Sequence, residues 1–457
     1  MTSSAAFGVP EAGPPPSHQY SPAIAALAWA AILGVVALVG YSNWRASRTV
    51  DRAQALGEYQ LVITSRMAVG SHSLLSGWQV MSASTVTQMV DHVRAAAVTP
   101  ADKLRAICVM GDVEGPDAAL GELDHLGPLL KSADLKRDAA ALRTIYRRGP
   151  ARVPAKEREE LIQRHGWFGK LALSFGKPPD DPLRREVIHR ARVTFLALLA
   201  FELVSGLGLL AGVVLLVLAI VLLAVGNIRF AYRPDGPPTT AFLEAFAVYL
   251  VGFTATGVLV RRILPQAGVS ANGFAIPPVL LAMFWPVLRG VSWAQLRRGL
   301  GWHTGRGLFI ETWAGISGYL AGLPIIAAAL AITAALMARS GASAAHPIMF
   351  ANPRGVWPVV QLYLLASVWA PLVEESMFRG ALFHHLRQRH GWWLSALLSS
   401  FLFAAIHPQG WVAIPALGAI ALVLAAIREW RGTMFASAAA HALNNGVVLT
   451  LSIVAFR

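Results

Sequence analysis

The chain opens with a polar stretch, turns apolar, returns to mixed polarity, and is then apolar almost to its end. Residues 1–21 are rich in Pro and Ser and carry no Lys or Arg, the composition of a disordered tail. Ala23–Gly40 is an uninterrupted apolar run, long enough for one spanning helix. It has no basic n-region and no small-x-small cleavage site, so the pattern predicts an uncleaved membrane anchor over residues 22–41. Charges return over residues 45–190, where helix starts are legible. Thr99-Pro100-Ala101-Asp102 places a cap before Pro at the first helical position. Ser132-Ala133-Asp134 opens another helix, Pro154 precedes a third over 156–164, and Gly115-Pro116-Asp117 breaks two of these segments. These features predict a small, mostly helical soluble domain that serves as a spacer, a docking module or a site for a protein partner.

From Val193 onward eight further apolar stretches follow: 193–225, 241–260, 274–291, 309–337, 357–383, 394–407, 411–427 and 433–455. The first would be about 50 Å long as a helix and must tilt or protrude from a hydrocarbon core of about 30 Å. The 394–407 stretch is short enough to be partly re-entrant. The pattern as a whole predicts an all-α polytopic membrane protein, with a multi-span domain over residues 193–457.

Composition supports this reading. Hydrophobic residues make up 55% of the 457 and charged residues 14%, well short of the ~25% charged residues of soluble domains. The net charge of +14 raises nucleic acid as a partner, but its distribution argues against that. Residues 193–457 hold 16 arginines, no lysine and 7 acids, and the arginines lie between apolar runs as loop charges do. The expected surroundings are therefore lipid, in the multi-pass manner of a bacterial plasma-membrane protein. Alternate loops carry ten arginines (229, 233, 289, 297, 298, 306, 387, 389, 428 and 431) against five (261, 262, 339, 354 and 457). That imbalance makes the first side cytoplasmic and residues 45–190 external, whereas Arg45, Arg48 and Arg52 after the anchor favour the reverse. The short loops weigh more. A single cysteine, Cys108, excludes an internal disulfide and a cysteine-based zinc cluster.

Ionisable residues inside apolar runs are costly and tend to mark function. Pro371–Gly380 carries two adjacent carboxylates. Glu375 and Arg379 stand at i and i+4 and can pair on one helix face. Glu374 is turned about 100° away, which leaves it as the free carboxylate and suits it to act as a general base. The next run ends Phe403-Ala-Ala-Ile-His407-Pro408, and the last carries His441-Ala-Leu-Asn-Asn445, with His and Asn at i and i+4. Such a pair offers donors to one developing oxyanion. A base, a His and a His/Asn pair on three successive apolar helices are the parts of a hydrolytic site. Ser376 reads as a packing or capping residue, and Cys108 has no evident His partner. Glu202 and Glu244 read as bundle-facing polar residues, and Glu311 suits a helix start. His384 and His385, with Arg387 and Arg389, read as an amphipathic stretch resting at a membrane surface.

The order Glu374-Glu375-x-x-x-Arg379, Phe403-x-x-x-His407, His441-x-x-x-Asn445 resembles that of the CPBP intramembrane proteases. These include the type II CAAX prenyl endopeptidases and the bacterial proteins called Abi. The resemblance covers the membrane part, most securely residues 310–455, and says nothing of residues 1–190. It implies an eight-helix intramembrane protease bundle, here preceded by the anchor helix and the soluble domain. It implies an endopeptidase acting on a membrane-associated peptide or protein, of CAAX or leader-peptide type. Glu374 and His407 would activate water, His441 and Asn445 would stabilise the oxyanion, and Glu375, Arg379 and Phe403 would organise the site. The motif His-Glu-x-x-His is absent, yet Glu374, His407 and His441 could supply three ligands to a divalent metal such as zinc. Two other readings stand beside this one: a catalytically inert membrane scaffold or immunity protein, and a secondary transporter, which would require a repeat between halves that is not seen.

Overall fold

The computed structural model describes residues 20–47, 50–76, 82–234, 236, 238–264, 275–344 and 355–456. Of the tail expected over 1–21, residues 1–19 lie outside the described residues, as do Arg48, Arg354 and Arg457 from the loop-charge count. Among the described residues every regular element is a helix, so the chain is an all-α polytopic membrane protein. Two compact units divide it. The first comprises residues 1–44, 211–336 and 355–446; the second comprises 45–210, 337–354 and 447–457.

The second unit is built from α2 (Val50–Leu75), α3 (Ala83–Ala96), α4 (Pro100–Val113), α5 (Pro116–Leu126), α6 (Ala133–Arg148), α7 (Ala155–His165), α8 (Trp167–Leu173) and the start of α9 (Pro182–Ala224). Thr99 and Asp102 close a full capping box on α4. Leu61, Val69, Val93, Leu104, Leu142 and Phe168 share one core with Val187 and Ala191 of α9. Cys108 is buried in that core, and burial pushes its thiol up to about 12, so it is no nucleophile at neutral pH. Asp138 is also buried. It accepts from Arg164 Nε at 2.9 Å and Nη2 at 2.6 Å, and it faces His165 Nε2 at 3.0 Å. Burial alone would raise the Asp138 pKa, but the bonds from His165 and Arg164 outweigh it and hold the carboxyl below its usual range.

The first unit holds α1 (Pro22–Ser47, up to Trp44), the end of α9, α10 (Ala241–Ile263), α11 (Ile276–Leu288), α12 (Trp293–Leu300) and most of α13 (Leu308–Ser340). A continuous helical segment, Val356–Arg387, follows. It consists of α14 (Val356–Leu364), a π-helical stretch Leu365–Trp369, α15 (Ala370–Glu375), a second π-helical stretch Ser376–Leu382 and α16 (Phe383–Arg387). Then come α17 (Trp392–Ala405), α18 (Ile414–Arg431) and α19 (Met434–Phe456). Among the described residues seven helices are long and apolar enough to cross a membrane: α1, α9, α10, α13, the Val356–Arg387 segment, α18 and α19. The stretches expected over 274–291 and 394–407 form helices of only 13 and 14 residues. At about 20 Å each they fall short of a ~30 Å core, as the shortness of the 394–407 stretch led one to expect, so six of the eight stretches after residue 193 form helices of spanning length among the described residues. Gly290 at φ 85° turns the chain after α11, and the Ile406-His407-Pro408 turn ends α17.

Helix α13 packs closely through Gly315, Gly318 and Gly322. A Cβ on Gly315 would run into the Ala436 carbonyl, and one on Gly318 would lie 2.8 Å from Ile427. Small residues thus let α13 approach α18 and α19, as is usual between membrane helices. Phe246, Phe378 and Phe403 form a chain of edge contacts through the core, with centroids 4.9 and 5.1 Å apart.

Loop charges gather at one end of this unit. Arg387 pairs with buried Glu429 at 2.9 Å, and Arg431 with buried Glu311 at 2.7 Å. His303 reaches the Gly432 carbonyl at 3.0 Å. Glu244 accepts from Thr240 and Trp285 and pairs with Arg289, a packing role as expected from its position. The expectation for His384 and His385 is corrected: both are buried. The Tyr232 hydroxyl lies 2.7 Å from His384 Nδ1, and the Thr239 carbonyl 3.3 Å from His385 Nδ1. The loop after α9 is bonded to the end of α18 through Ala231 and Tyr232, and so covers a stretch that its own charges would place at a surface.

Asp138→Ala would leave buried His165 without its carboxylate and half-buried Arg164 with Glu160 alone. It should destabilise the second unit by about 3 kcal/mol in denaturant unfolding. Because the folded-state pKa of Asp138 is depressed, its contribution is present above the unfolded value and is lost as the pH falls below about 4. Acid titration should therefore destabilise the wild type and leave the variant less affected.

Candidate active site

The double-Glu segment lies between two π-helical stretches. A π turn widens the helix and leaves backbone carbonyls open to other donors, and such turns are frequent at functional sites. Here three side chains from other helices reach those carbonyls. Asn445 Nδ2 of α19 donates to Ala366 O at 2.9 Å. Arg428 Nε of α18 donates to Arg379 O at 3.0 Å, and Ser399 Oγ of α17 to Phe378 O at 3.3 Å. Arg428 also donates to the carbonyls of Gly299 and Gly432 and lies 4.5 Å from the Tyr232 ring centroid. The helix that carries the carboxylates is therefore pinned on both sides of them.

Glu375 is fully buried and pairs with Arg379 at 3.1 Å, as the i, i+4 spacing predicts. Arg379 Nη2 donates to Ala421 O at 3.2 Å, and its guanidinium lies over the Phe403 ring at 4.6 Å. His441 stands against both carboxylates. Its Nδ1 lies 3.0 Å from Glu375 Oε1 and its Nε2 lies 3.7 Å from Glu374 Oε2. A carboxylate held on Nδ1 fixes the ring orientation and places the Nδ1 proton, leaving Nε2 turned toward Glu374. The 3.7 Å separation is beyond a direct hydrogen bond and is of the size that one water can bridge. The Glu374 side chain keeps 24% of its exposure, whereas Glu375 keeps none, so Glu374 is the carboxylate open to a reactant.

His407 reaches the group through Phe403. Its Nδ1 is bonded to the Phe403 carbonyl one turn back, and the Phe403 ring lies 4.2 Å from the His407 ring and 5.9 Å from the His441 ring. All seven residues singled out in the sequence, Glu374, Glu375, Arg379, Phe403, His407, His441 and Asn445, thus belong to the first unit. The structure brings Glu374, Glu375, Arg379 and His441 into direct proximity, sets Phe403 against Arg379, His407 and His441, and bonds Asn445 to the first π-helical stretch. Among the described residues no three His, Cys, Asp or Glu side chains are grouped so as to hold a metal ion. Of the three side chains considered as ligands, His441 holds Nδ1 on Glu375 and His407 holds Nδ1 on the Phe403 carbonyl, contacts that leave Nε2 of each ring available to a ligand. Ser376 is occupied as well, accepting from Trp302 Nε1 at 2.9 Å and donating to Leu372 O at 2.7 Å.

Two neighbours were not singled out in the sequence. The Tyr319 hydroxyl donates to Asn444 Oδ1 at 2.9 Å, and Asn444 Nδ2 donates to Asn445 Oδ1 at 3.1 Å. This chain sets the Asn445 amide with its oxygen toward Asn444 and its nitrogen toward Ala366. The sequence signal for Asn444 is a second amide beside Asn445 in an apolar run. That for Tyr319 is an aromatic hydroxyl set between Gly318 and Gly322, where the backbones approach closely.

Residues 355–447 match the family model described as type II CAAX prenyl endopeptidase Rce1-like. An uncharacterized 24.3 kDa protein of Escherichia coli is 35% identical over an alignment of 96 residues that covers 19% of this chain. The chain spans 44% of that relative's length. No solved structure matches the chain. The matched segment contains both Glu residues, Arg379, Phe403, His407, His441 and Asn445, so the three motifs fall within the residues that the Rce1-like family model matches.

Proposed function

We propose that the chain is an intramembrane endopeptidase that hydrolyses a peptide bond of a membrane-associated peptide or protein with an activated water. The observation that carries this reading is His441 facing Glu375 with one ring nitrogen and Glu374 with the other, beside a fully buried Arg379. Glu375, paired with Arg379, orients His441. Water held between Glu374 and His441 Nε2 gives up its proton to Glu374 and adds its oxygen to the scissile carbonyl. The resemblance implies that His407 takes the place beside the water; we give it to His441, whose Nε2 lies 3.7 Å from Glu374. The second Asn445 amide proton is a donor for the developing oxyanion, and the His407 ring, whose Nδ1–H is held by the Phe403 carbonyl, joins it from Nε2 as the imidazolium. Glu374 then passes its proton to the leaving amine, the C–N bond breaks, and the carboxyl and amine products separate. Each step uses groups of this chain. The Rce1-like domain supports a CAAX-type substrate at the family level, with a leader-type peptide as the alternative. We place the enzyme in a bacterial plasma membrane, with its arginine-rich end cytoplasmic, and assign substrate selection or partner docking to residues 45–190.

In bilayer nanodiscs the wild type should cleave membrane-tethered peptides, one set farnesylated at a C-terminal cysteine motif and one not. Glu374→Gln keeps the shape and removes the base, and should lower kcat by at least a hundredfold. Equal cleavage by both proteins would refute the assignment, and cleavage by neither across the panel would favour the inert scaffold. Treatment with 1,10-phenanthroline should leave the rate unchanged; loss that zinc restores would establish a metal enzyme instead. Tyr319→Phe removes only the hydroxyl that orients Asn444, and kcat should fall roughly tenfold with KM and thermal stability retained.

A further inference from the structure

Helix α1 precedes the matched domain by more than 300 residues of sequence, yet it is built into the same core. Ala25, Ala28, Ile32 and Val35 are buried among Phe242, Phe246 and Phe378, and Val39 packs beside them. Steps of three and four residues place these positions on one face of the helix. Asn43, four residues past Val39, continues that face as its polar end. There Asn43 Nδ2 donates to the backbone carbonyl of His407 at 2.8 Å. At the other end the Arg389 guanidinium lies 3.4 Å from the centroid of the Tyr20 ring, two residues before the helix starts.

The bond matters because of where His407 sits. Helix α17 ends at Ala405, and His407 lies in the turn between it and Ile414. The His407 carbonyl also accepts from Gly410 N at 3.5 Å, the limit of a hydrogen bond, and Pro408 has no N–H to offer. The Asn43 bond is much shorter. A peptide plane held at its carbonyl fixes the direction in which the same residue's side chain leaves the backbone.

We infer that Asn43 is a positioning residue for His407, and that α1 is thereby a working part of the catalytic bundle as well as an anchor. This inference rests on the proposed endopeptidase reading for its catalytic consequence. Its structural half, that Asn43 holds the 406–410 turn, stands apart from that reading.

The test uses the full chain in nanodiscs with two variants, Asn43→Ala and Asn43→Gln, the second of which retains an amide donor. Hydrogen–deuterium exchange by mass spectrometry reads the turn, and the farnesylated and plain tethered peptides read activity, with Glu374→Gln as the inactive reference. For Asn43→Ala we expect about tenfold faster exchange in peptides covering residues 404–413, unchanged thermal stability, and kcat about tenfold lower with KM unchanged. Asn43→Gln should recover part of both effects. Unchanged exchange in Asn43→Ala overturns the inference whatever the protein catalyses. Faster exchange with wild-type kcat, in a preparation where Glu374→Gln is inactive, overturns the positioning role. If Glu374→Gln cleaves like the wild type, the endopeptidase assignment fails on its own, and the exchange result still decides whether Asn43 holds the turn.

Discussion

Everything in the first unit is arranged around one buried charge cluster, Glu375 with Arg379 and His441. Bringing a carboxylate and a guanidinium out of water costs several kcal/mol per ion before any partner is counted. In a segment surrounded by lipid the cost can be recovered only by partners already in place. Glu375 finds two, at 3.1 and 3.0 Å, and Arg379 adds the Ala421 carbonyl and the Phe403 ring. These partners come from four separate elements, so the cluster forms only when α17, α18 and α19 all dock on the Val356–Arg387 segment. The same requirement leaves Glu374 as the one carboxylate of the pair with exposure to spare. Stability and chemistry are thus divided between adjacent residues of one helix.

The π-helical stretches are the backbone counterpart of that division. A regular helix would bond the carbonyls of Ala366, Phe378 and Arg379 each to the amide four residues on; in the second stretch the Phe378 carbonyl instead accepts from Phe383 N, five residues on, and from Ser399. Widened turns present them to Asn445, Ser399 and Arg428. Arg428 is the most heavily used of these, joining Arg379 to Gly299 and Gly432 while buried against Tyr232. It links the arginine-rich end of the unit to the charge cluster, so loop closure at that end and the geometry of Glu375 are mechanically connected.

The sequence showed the parts whose physical cost is visible in one dimension. Glu374, Glu375, Arg379, His407, His441 and Asn445 stand out because they interrupt apolar runs, and the helix period places Glu375 against Arg379 correctly. The apolar runs themselves outline the membrane helices. What stayed hidden depends on distance in space. A π turn leaves the hydrophobic pattern unchanged, so neither stretch is legible. The pairing of His441 with Glu375 joins residues 66 apart. His384 and His385 look like surface residues because their neighbours are basic, and only the loop carrying Tyr232 and Thr239 reveals them as buried. The stretches at 274–291 and 394–407 are apolar over a longer run than the helices they form, because apolarity continues through turns that backbone geometry ends.

Helix α1 shows how a segment outside a recognisable domain becomes part of its working core. An anchor needs only apolar residues facing lipid, and most of α1 meets that description. Its buried stripe departs from it: Ala25, Ala28 and Ile32 are small or shaped to fit a protein surface, and the stripe ends in an amide, which lipid would penalise and a backbone carbonyl rewards. Placing Asn there is costly unless the carbonyl it meets is fixed, and fixed where α17 breaks. The carbonyl is that of His407, the residue whose ring lies 4.2 Å from Phe403 and, through Phe403, next to Arg379 and His441. Helix α1 and the turn that closes the second motif therefore constrain one another, and any displacement of α1 along its axis must either lengthen the Asn43 bond or carry His407 with it.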